Sequence, residues 1–355
     1  MMTYPDTDGR LYLPRPGMAP PRSPVEAAAP LRVLDARIAI PSERQVALGA
    51  ALSRIGPTVH APWTGTAESG RAILAAVRAH RPDLVFAQIQ SDPGDFPAAL
   101  RAAVGPSCTL VLWTGDVRTS ATQPVERWLA RAAQAFDLVL ADSLTYPRKL
   151  VLDEGATAAC GYLGCGIDPD LNPWRFDAAE TGGAVFLGTN YHNLDGGERL
   201  RLFSAVADAL PGEFNAYGGG WNGVRWGRPF VEQAEASRIM RAAAVVISTS
   251  LFQDLERYTS DRLKRAMASG AVVAVRRFPD MEGLGLRPGE NCLSWDTTAD
   301  LIDQLRKWTR PWLAAARIPI RRCASSVACQ RFTWDRIVEE LLAIVRDHRA
   351  RRGLS

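Results

Sequence analysis

Paired metal ligands are what this sequence most clearly lacks. It has six cysteines, none of them in a C-x-x-C pair, and only four histidines. A structural zinc site needs four nitrogen or sulfur ligands at close, paired spacing. We therefore expect no metal site and no bound cofactor, and we expect the scattered cysteines to be small buried hydrophobes of a cytosolic protein.

Long apolar segments are also absent. The longest, such as Ala242 to Ile247, fall far short of the ~20 residues that cross a bilayer. The N-terminus has no apolar stretch after its first charges, so we expect no secretory signal. These absences predict a cytoplasmic protein without a transmembrane segment, and a length of 355 residues predicts two domains.

The signature loops of several enzyme classes are missing. The sequence contains no G-x-x-x-x-G-K-[ST] loop, no G-x-S-x-G elbow and no H-E-x-x-H helix. The turn after the first predicted strand, Asp35 to Pro41, lacks the glycines that let a backbone approach a pyrophosphate. This disfavours a dinucleotide-dependent dehydrogenase, and it assigns any nucleotide chemistry to the second half of the chain.

Short apolar strands alternate with amphipathic helices in residues 31–166 and again in residues 183–330. The strands predicted in the first series are Leu31–Asp35, Thr58–His60, Asp83–Ile89, Thr109–Trp113, Asp137–Ala141 and Ala158–Leu163. Such alternation is typical of parallel sheets with crossover helices. With right-handed crossovers it predicts an α/β protein of two facing Rossmann-like domains.

Three further segments complete the predicted organisation. Residues 1–30 contain seven prolines and little apolar content, which predicts a disordered tail. Glycine and proline cluster from Gly164 to Pro173, which suits a linker over residues 167–182. Residues 331–355 predict a C-terminal helix followed by a basic tail.

The second half of the chain carries a series of motifs in a defined order. Ala184–Thr189 ends a strand in a small-residue turn, Glu198–Arg201 opens a helix, Tyr217–Trp221 holds three glycines, and Ser260–Val273 leads into Pro288–Asn291. This order resembles the C-terminal domain of group 1 glycosyltransferases of the GT-B architecture, in the CgeB-like, glycosyltransferase family 4-like branch. The resemblance implies transfer of a hexose from a nucleotide sugar to an acceptor that the sequence does not name.

The resemblance also implies a metal-independent donor site. In such a site backbone amides and fixed cations hold the diphosphate of the donor and stabilise the leaving nucleotide. The residues that match the family's donor side by position are Gly188, Thr189, Arg199, Trp221, Ser260, Arg262, Lys264 and Arg265.

One position departs from the family pattern. The family's glutamate, which contacts the donor ribose, aligns with Arg265, and the aromatic residue before it aligns with Lys264. A guanidinium cannot accept hydrogen bonds from ribose hydroxyls. Either Lys264 or Arg265 holds phosphate instead, or donor binding has been lost and the chain is a catalytically silent binding or scaffold protein.

Candidate catalytic residues lie where strands of the first half end. Asp116 follows the apolar strand Thr109–Trp113, and Asp92 follows Asp83–Ile89, while His60 ends its own strand. Ligands of doubly wound sheets bind at the carboxyl ends of strands. We expect Asp116, before Asp92 or His60, to serve as the general base on the acceptor side.

The positive charge is concentrated at the C-terminus. The net charge is +4, and residues 306–355 hold twelve Lys or Arg against four Asp or Glu. This asymmetry suggests nucleic acid or an anionic membrane surface as a partner, including a DNA-acceptor enzyme as an alternative function. A solvated terminal helix is the simpler explanation of the same charges.

Overall fold

The computed structural model describes residues 11–12, 30–38, 43–117, 119–171, 182–191 and 195–354. They form two compact units, the first from residues 1–166 and 334–355 and the second from residues 167–333. Apart from Leu11, Tyr12 and Pro30, the predicted tail lies outside the described residues, as does most of the predicted linker, residues 172–181.

The first unit is built on a parallel sheet of seven strands in the order β1-β7-β6-β5-β4-β2-β3. Its strands are β1 (Leu11–Tyr12), β2 (Val33–Ala36), β3 (Thr58–His60), β4 (Leu84–Gln88), β5 (Thr109–Thr114), β6 (Leu138–Ala141) and β7 (Ala159–Tyr162). The helices between them are α1 (Glu43–Ser53), α2 (Ala67–His80), α3 (Phe96–Ala103), α4 (Arg127–Ala133) and α5 (Thr145–Leu152). The central strands β4 and β5 are apolar except at their ends because both of their faces are buried.

The second unit repeats this arrangement around a parallel six-stranded sheet in the order β10-β9-β8-β11-β12-β13. Its strands are β8 (Ala184–Leu187), β9 (Phe214–Tyr217), β10 (Gly227–Arg228), β11 (Val245–Ser248), β12 (Val273–Arg276) and β13 (Leu293–Trp295). Its helices are α6 (Glu198–Ala209), α7 (Gln233–Ala242), α8 (Asp261–Ala268), α9 (Thr298–Trp308) and α10 (Ala314–Arg331). The α/β fold with two Rossmann-like units is as predicted.

Strand β1 is a difference from the sequence prediction. Leu11 pairs in parallel with Cys160 and Tyr12 with Gly161, at the edge of the first sheet. An edge strand offers a row of unpaired backbone groups, and two residues of an otherwise proline-rich segment satisfy some of them. The prediction of disorder is therefore wrong for these two residues.

The last helix, α11 (Trp334–Arg351), is part of the first unit rather than a separate segment at the end of the second. The Trp334 indole lies edge-on to Trp113 of β5, with ring centroids 6.0 Å apart. A side chain on Gly166 would come within 2.4 Å of the Trp334 ring, so the chain passes close against it. Trp334 thereby closes the core formed by α1, α11 and the sheet.

Packing of Trp334 gives a stability prediction. Replacing Trp334 with alanine is expected to lower the free energy of unfolding by about 3–5 kcal/mol, because the cavity it leaves is lined by rigid strands. Urea denaturation followed by circular dichroism measures this. Trp312, whose side chain is 76% exposed, provides the matched control, and its alanine variant should change stability by less than about 0.5 kcal/mol. Equal losses in the two variants would contradict the assigned packing.

Several basic residues of the C-terminal segment are used inside the first unit. Arg349 is buried and donates to the carbonyl oxygens of Asp83 at 3.3 Å and Ser107 at 2.8 Å. Arg352 pairs with Asp137 at 2.6 Å. The charge of α11 is thus partly structural, which weakens the expectation that this helix binds a polyanion. No helix in the described part of the chain is both long and apolar enough to span a bilayer.

Candidate functional site

Two glycine turns, at the carboxyl ends of β8 and β9, are hydrogen-bonded to each other. The Gly188 N–H donates to the Tyr217 carbonyl at 2.8 Å, and the Trp221 indole donates to the Gly188 carbonyl at 2.7 Å. A side chain on Gly218 would come within 2.5 Å of that same carbonyl oxygen. Trp221 is buried among Phe186, Phe203 and Trp226, so it supports the turn from the core rather than offering a ring surface to a ligand.

Arg262 lies against this turn. It is the second residue of α8 and is buried, and its guanidinium donates to the carbonyl oxygens of Leu187 and Thr249 and to the Ser260 hydroxyl. It also lies 4.3 Å from the centroid of the Phe186 ring. Burial lowers the pKa of Arg262 to about 9, so the group is still cationic at neutral pH. Within the described residues it forms no ion pair.

Arg199 is a second buried cation beside the same ring. It is the second residue of α6, its guanidinium carbon lies 5.5 Å from the Phe186 centroid, and it donates to the Thr189 carbonyl at 2.6 Å. Burial lowers the pKa of Arg199 as well, and the charge of Arg199 contributes to lowering the pKa of Arg262. Two like charges thus lie in the first turns of two helices, where the helix dipole is itself positive.

This arrangement is suited to binding an anion. A positive charge in the first turn of a helix is unfavourable, and so is a buried guanidinium without a carboxylate. A diphosphate at the glycine turns would offset both unfavourable interactions by supplying negative charge beside the two arginines. It would also accept hydrogen bonds from backbone N–H groups at the helix starts. The electrostatic cost of the ligand-free site therefore favours a polyanionic ligand.

The remaining predicted donor residues divide into two groups. Thr189 is exposed, with its side chain beside Gly219, and Ser260 precedes α8 with its hydroxyl 3.3 Å from Arg262. Lys264 is buried, with its ammonium 5.7 Å from the Phe332 ring centroid, and Arg265 pairs with Asp261 at 3.0 Å. The structure therefore places Thr189 and Ser260 at the arginine cluster, whereas Lys264 is enclosed and Arg265 has a carboxylate partner.

Gly188 gives a sharp test of the site. A β-carbon there would stand 2.1 Å from Nη2 of Arg262, so Gly188→Ala is expected to displace the guanidinium. Binding of a nucleoside diphosphate should then weaken by about tenfold or more, because one charge-assisted hydrogen bond is lost. Calorimetric titration with UDP measures this.

Gly219 in the neighbouring turn is the matched control. A β-carbon there would meet only Thr189, at 3.6 Å, which is ordinary contact. Gly219→Ala should therefore bind UDP like the wild type. If both alanine variants bound UDP equally well, the position of Arg262 against Gly188 would not matter for ligand binding.

The first unit contains a hydrogen-bonded cluster that the sequence reasoning identified only in part. Asp35, next to last in β2, is buried and binds Arg37 through both oxygens, at 2.6 and 2.5 Å. His60, at the end of β3, has Nδ1 2.8 Å from Oδ2 of Asp35, and its side chain is 50% exposed. A carboxylate held by arginine can only accept, so Nδ1 of His60 is the donor in this hydrogen bond, and in a neutral imidazole the lone pair is then on Nε2.

The two predicted aspartates occupy different environments. Asp116 is exposed just after β5, and the only hydrogen bond of the residue among those described uses its backbone carbonyl, which accepts from Thr114. Asp92 pairs with Arg131 at 2.5 Å and accepts from the Gly94 N–H at 3.0 Å. That backbone hydrogen bond and the ion pair lower the pKa of Asp92. Asp92 is thus a turn residue in an exposed ion pair, whereas the carboxylate of Asp116 has no partner among the described residues.

A separate cavity of about 310 Å³ lies in the second unit near the starts of α6 and α9. Its polar walls include Glu198 and Arg276, which pair with each other at 2.5 Å. These two charges in the wall of the cavity therefore neutralise each other. Among the residues the structure covers, no group of three or more His, Cys, Asp or Glu side chains is arranged to hold a metal ion.

The two Rossmann-like units of this chain match the fold of GT-B glycosyltransferases, which also have two such units. Residues 199–343, less than half of the chain, match the family described as "Glycosyl transferase-like". No curated protein matches the sequence.

Solved structures resemble the fold at low identity. HepE from Anabaena, in complex with UDP and glucose, has a TM-score of 0.60 at 16% identity, over 89% of this chain and 100% of its own. Sucrose-phosphate synthase from Thermosynechococcus elongatus has a TM-score of 0.64 at 13% identity, over 90% and 99%. A glycosyltransferase from Rickettsia africae has a TM-score of 0.66 at 9% identity, over 89% and 98%. These similarities establish the fold, and the CgeB-like branch stays a prediction.

Proposed function

We propose that this protein is a glycosyltransferase that takes a hexose from a nucleoside-diphosphate sugar. The observation that carries the proposal is the pair of buried arginines, Arg199 and Arg262, at the glycine turns of the second unit. Neither has an ion-pair partner among the described residues, and both lie in the first turn of a helix. The family match over residues 199–343 and the UDP and UDP-glucose complexes of HepE are consistent with a nucleotide-sugar donor.

The proposed reaction needs charge stabilisation at the leaving group. The acceptor hydroxyl oxygen forms a bond to the anomeric carbon, and the bond from that carbon to the β-phosphate oxygen breaks. The electron pair stays on the nucleoside diphosphate, whose added negative charge Arg199 and Arg262 stabilise without a metal ion. The proton of the acceptor passes to a base of the first unit, for which His60 and Asp116 are the candidates.

A screen of nucleotide sugars tests the donor. UDP-, GDP- and dTDP-sugars at millimolar concentration should each be added to the purified protein, and unfolding followed by thermal shift. The cognate donor should stabilise the folded state by about 2.7 kcal/mol when its concentration is 100 times Kd. No stabilisation by any of the three classes would count against the proposal.

A silent binding protein is the second candidate, and Arg265 is the observation that favours it. Arg265 occupies the position of the family's ribose-binding glutamate, and its guanidinium is paired with Asp261. A silent protein would be stabilised by a donor without hydrolysing or transferring the sugar. Release of the nucleoside diphosphate from the stabilising donor therefore separates the two functions.

A further inference from the structure

The stretch from Gln304 to Trp334 contains no acidic residue. It holds seven basic residues, namely Arg306, Lys307, Arg310, Arg317, Arg321, Arg322 and Arg331. In space it comprises the end of α9, a short 3₁₀ turn at Pro311–Leu313 and α10. We call the part from residue 306 to residue 322 the 306–322 surface.

The middle of the 306–322 surface is apolar and exposed. Trp312 is 76% exposed and Ile318 is 39% exposed. The other exposed apolar residues around them are Pro311, Ala314, Ala315, Ala316 and Pro319. Seven exposed apolar residues within nine positions, a tryptophan among them, are uncommon on a solvated face and indicate an interaction site.

The cations lie around this apolar centre. Arg310 has its guanidinium carbon 5.9 Å from the Trp312 ring centroid, and Lys307 has its ammonium 5.4 Å from that of Trp308. Arg306 is exposed, and its ion pair with Asp303 is long, at 4.0 Å. These charges are therefore held beside aromatic rings or weakly paired, and remain accessible to a negatively charged surface.

A buried arginine fixes the shape of this surface. Arg317 is only 1% exposed, and its Nη1 donates to the carbonyl oxygens of Trp308 at 2.6 Å and Arg310 at 3.1 Å. These carbonyls lie at and just beyond the end of α9, where a positive charge is favourable. Trp312 is consequently presented on a braced turn, with less ordering cost on binding than a flexible loop would have.

We propose that the 306–322 surface docks onto a lipid bilayer with anionic headgroups. Tryptophan prefers the membrane interface, and short aliphatic residues beside it can enter the headgroup and upper acyl region. Basic residues at the rim attract anionic headgroups. A nucleic acid would use the cations but would leave Ile318, Pro319 and the alanines without a matching surface, so the composition favours lipid. This inference is independent of the proposed glycosyl transfer.

Vesicle flotation tests the docking surface. The full chain should float with vesicles of phosphatidylcholine and phosphatidylglycerol at a 3:1 ratio in about 0.1 M salt, and should not float with phosphatidylcholine alone. Trp312→Ser should reduce the bound fraction at least about tenfold. Phe230, an aromatic residue of the same unit that is 72% exposed, is the matched control, and Phe230→Ser should float like the wild type.

Charge and depth give two further measurements. Arg306→Gln with Lys307→Gln should lower vesicle affinity by about fivefold for each cation, the equivalent of ~1 kcal/mol each, whereas Arg225→Gln elsewhere in the unit should not. Brominated phospholipids should quench part of the wild-type tryptophan emission, and Trp312→Phe should float while losing that part.

Three outcomes would overturn the proposal. One is the absence of flotation with the anionic vesicles. The second is an equal loss for Trp312→Ser and Phe230→Ser. The third is binding to a 20-nucleotide single-stranded DNA that depends on Arg306 and Lys307 while vesicles do not bind, which would assign the surface to nucleic acid.

Discussion

Replacing Arg262 with methionine is expected to weaken donor binding strongly while leaving the ligand-free protein about as stable as the wild type, or more stable. Transfer, measured as kcat/KM with the cognate donor, should fall by about 10²–10³-fold, the usual effect of removing one group that stabilises developing negative charge. Thermal shift should show that the variant has lost its response to that donor. Most buried residues would behave differently, because their removal destabilises the fold.

The stability part of this expectation follows from the position of Arg262. Its charge is buried, lies in the first turn of α8 and is repelled by Arg199, and burial lowers its pKa to about 9. Methionine keeps much of the side-chain volume and removes the charge. The carbonyls of Leu187 and Thr249 lose a donor, which offsets part of the gain. We expect the net change in unfolding free energy to stay within about 1 kcal/mol or to favour the variant.

Arg317 is the matched control, since it is also buried and also donates to backbone carbonyls. It lies by the C-terminal end of α9, where its charge is favourable, so Arg317→Met should destabilise the protein by about 1–3 kcal/mol without removing the donor response. A donor response that survives in Arg262→Met, together with a loss of stability like that of Arg317→Met, would make Arg262 a structural residue.

The fold could be predicted because the apolar periodicity is strong. The strand predicted at Asp83–Ile89 is β4 at Leu84–Gln88, and the C-terminal helix predicted within residues 331–355 is α11 at Trp334–Arg351. The apolar pattern could not predict which segments distant in the sequence would pack against each other. Nothing local to Leu11 or Trp334 indicates that these residues join the first sheet and its core, because that outcome depends on the surfaces available after folding.

The candidate site could be predicted only where the spacing of residues along a helix or strand determines the direction of their side chains. Arg262 and Lys264 are two positions apart on one helix, which turns their side chains to different faces, so only one of them could face the glycine turns. Asp35 and Arg37 are two apart on an extended segment, which places them on one side. The Asp35 cluster could have been predicted from the presence of a charged residue within the otherwise apolar strand Val33–Ala36.

Replacing His60 with alanine is expected to lower kcat by about 10²–10⁴-fold, the usual contribution of a general base, with donor affinity unchanged. The Asp35 carboxylate binds Nδ1, so Nε2 is free to accept the proton of the acceptor hydroxyl. His60 is half exposed, so its loss should cost little stability. Asp35→Ala is unsuitable for this test because it removes the buried carboxylate that pairs with Arg37, at a cost of about 3–5 kcal/mol.

Two comparisons decide whether His60 acts as the base or only supports the strand end. His80 is a partly exposed histidine of the same unit, and His80→Ala should retain full kcat. Added imidazole should partly restore kcat to His60→Ala, because it can accept a proton in the space left, and no purely structural role would respond to it. Asp116 is the other candidate for the base. If Asp116→Ala loses kcat while His60→Ala retains it, the proton passes to Asp116, and the Asp35 cluster serves to hold the ends of β2 and β3 together.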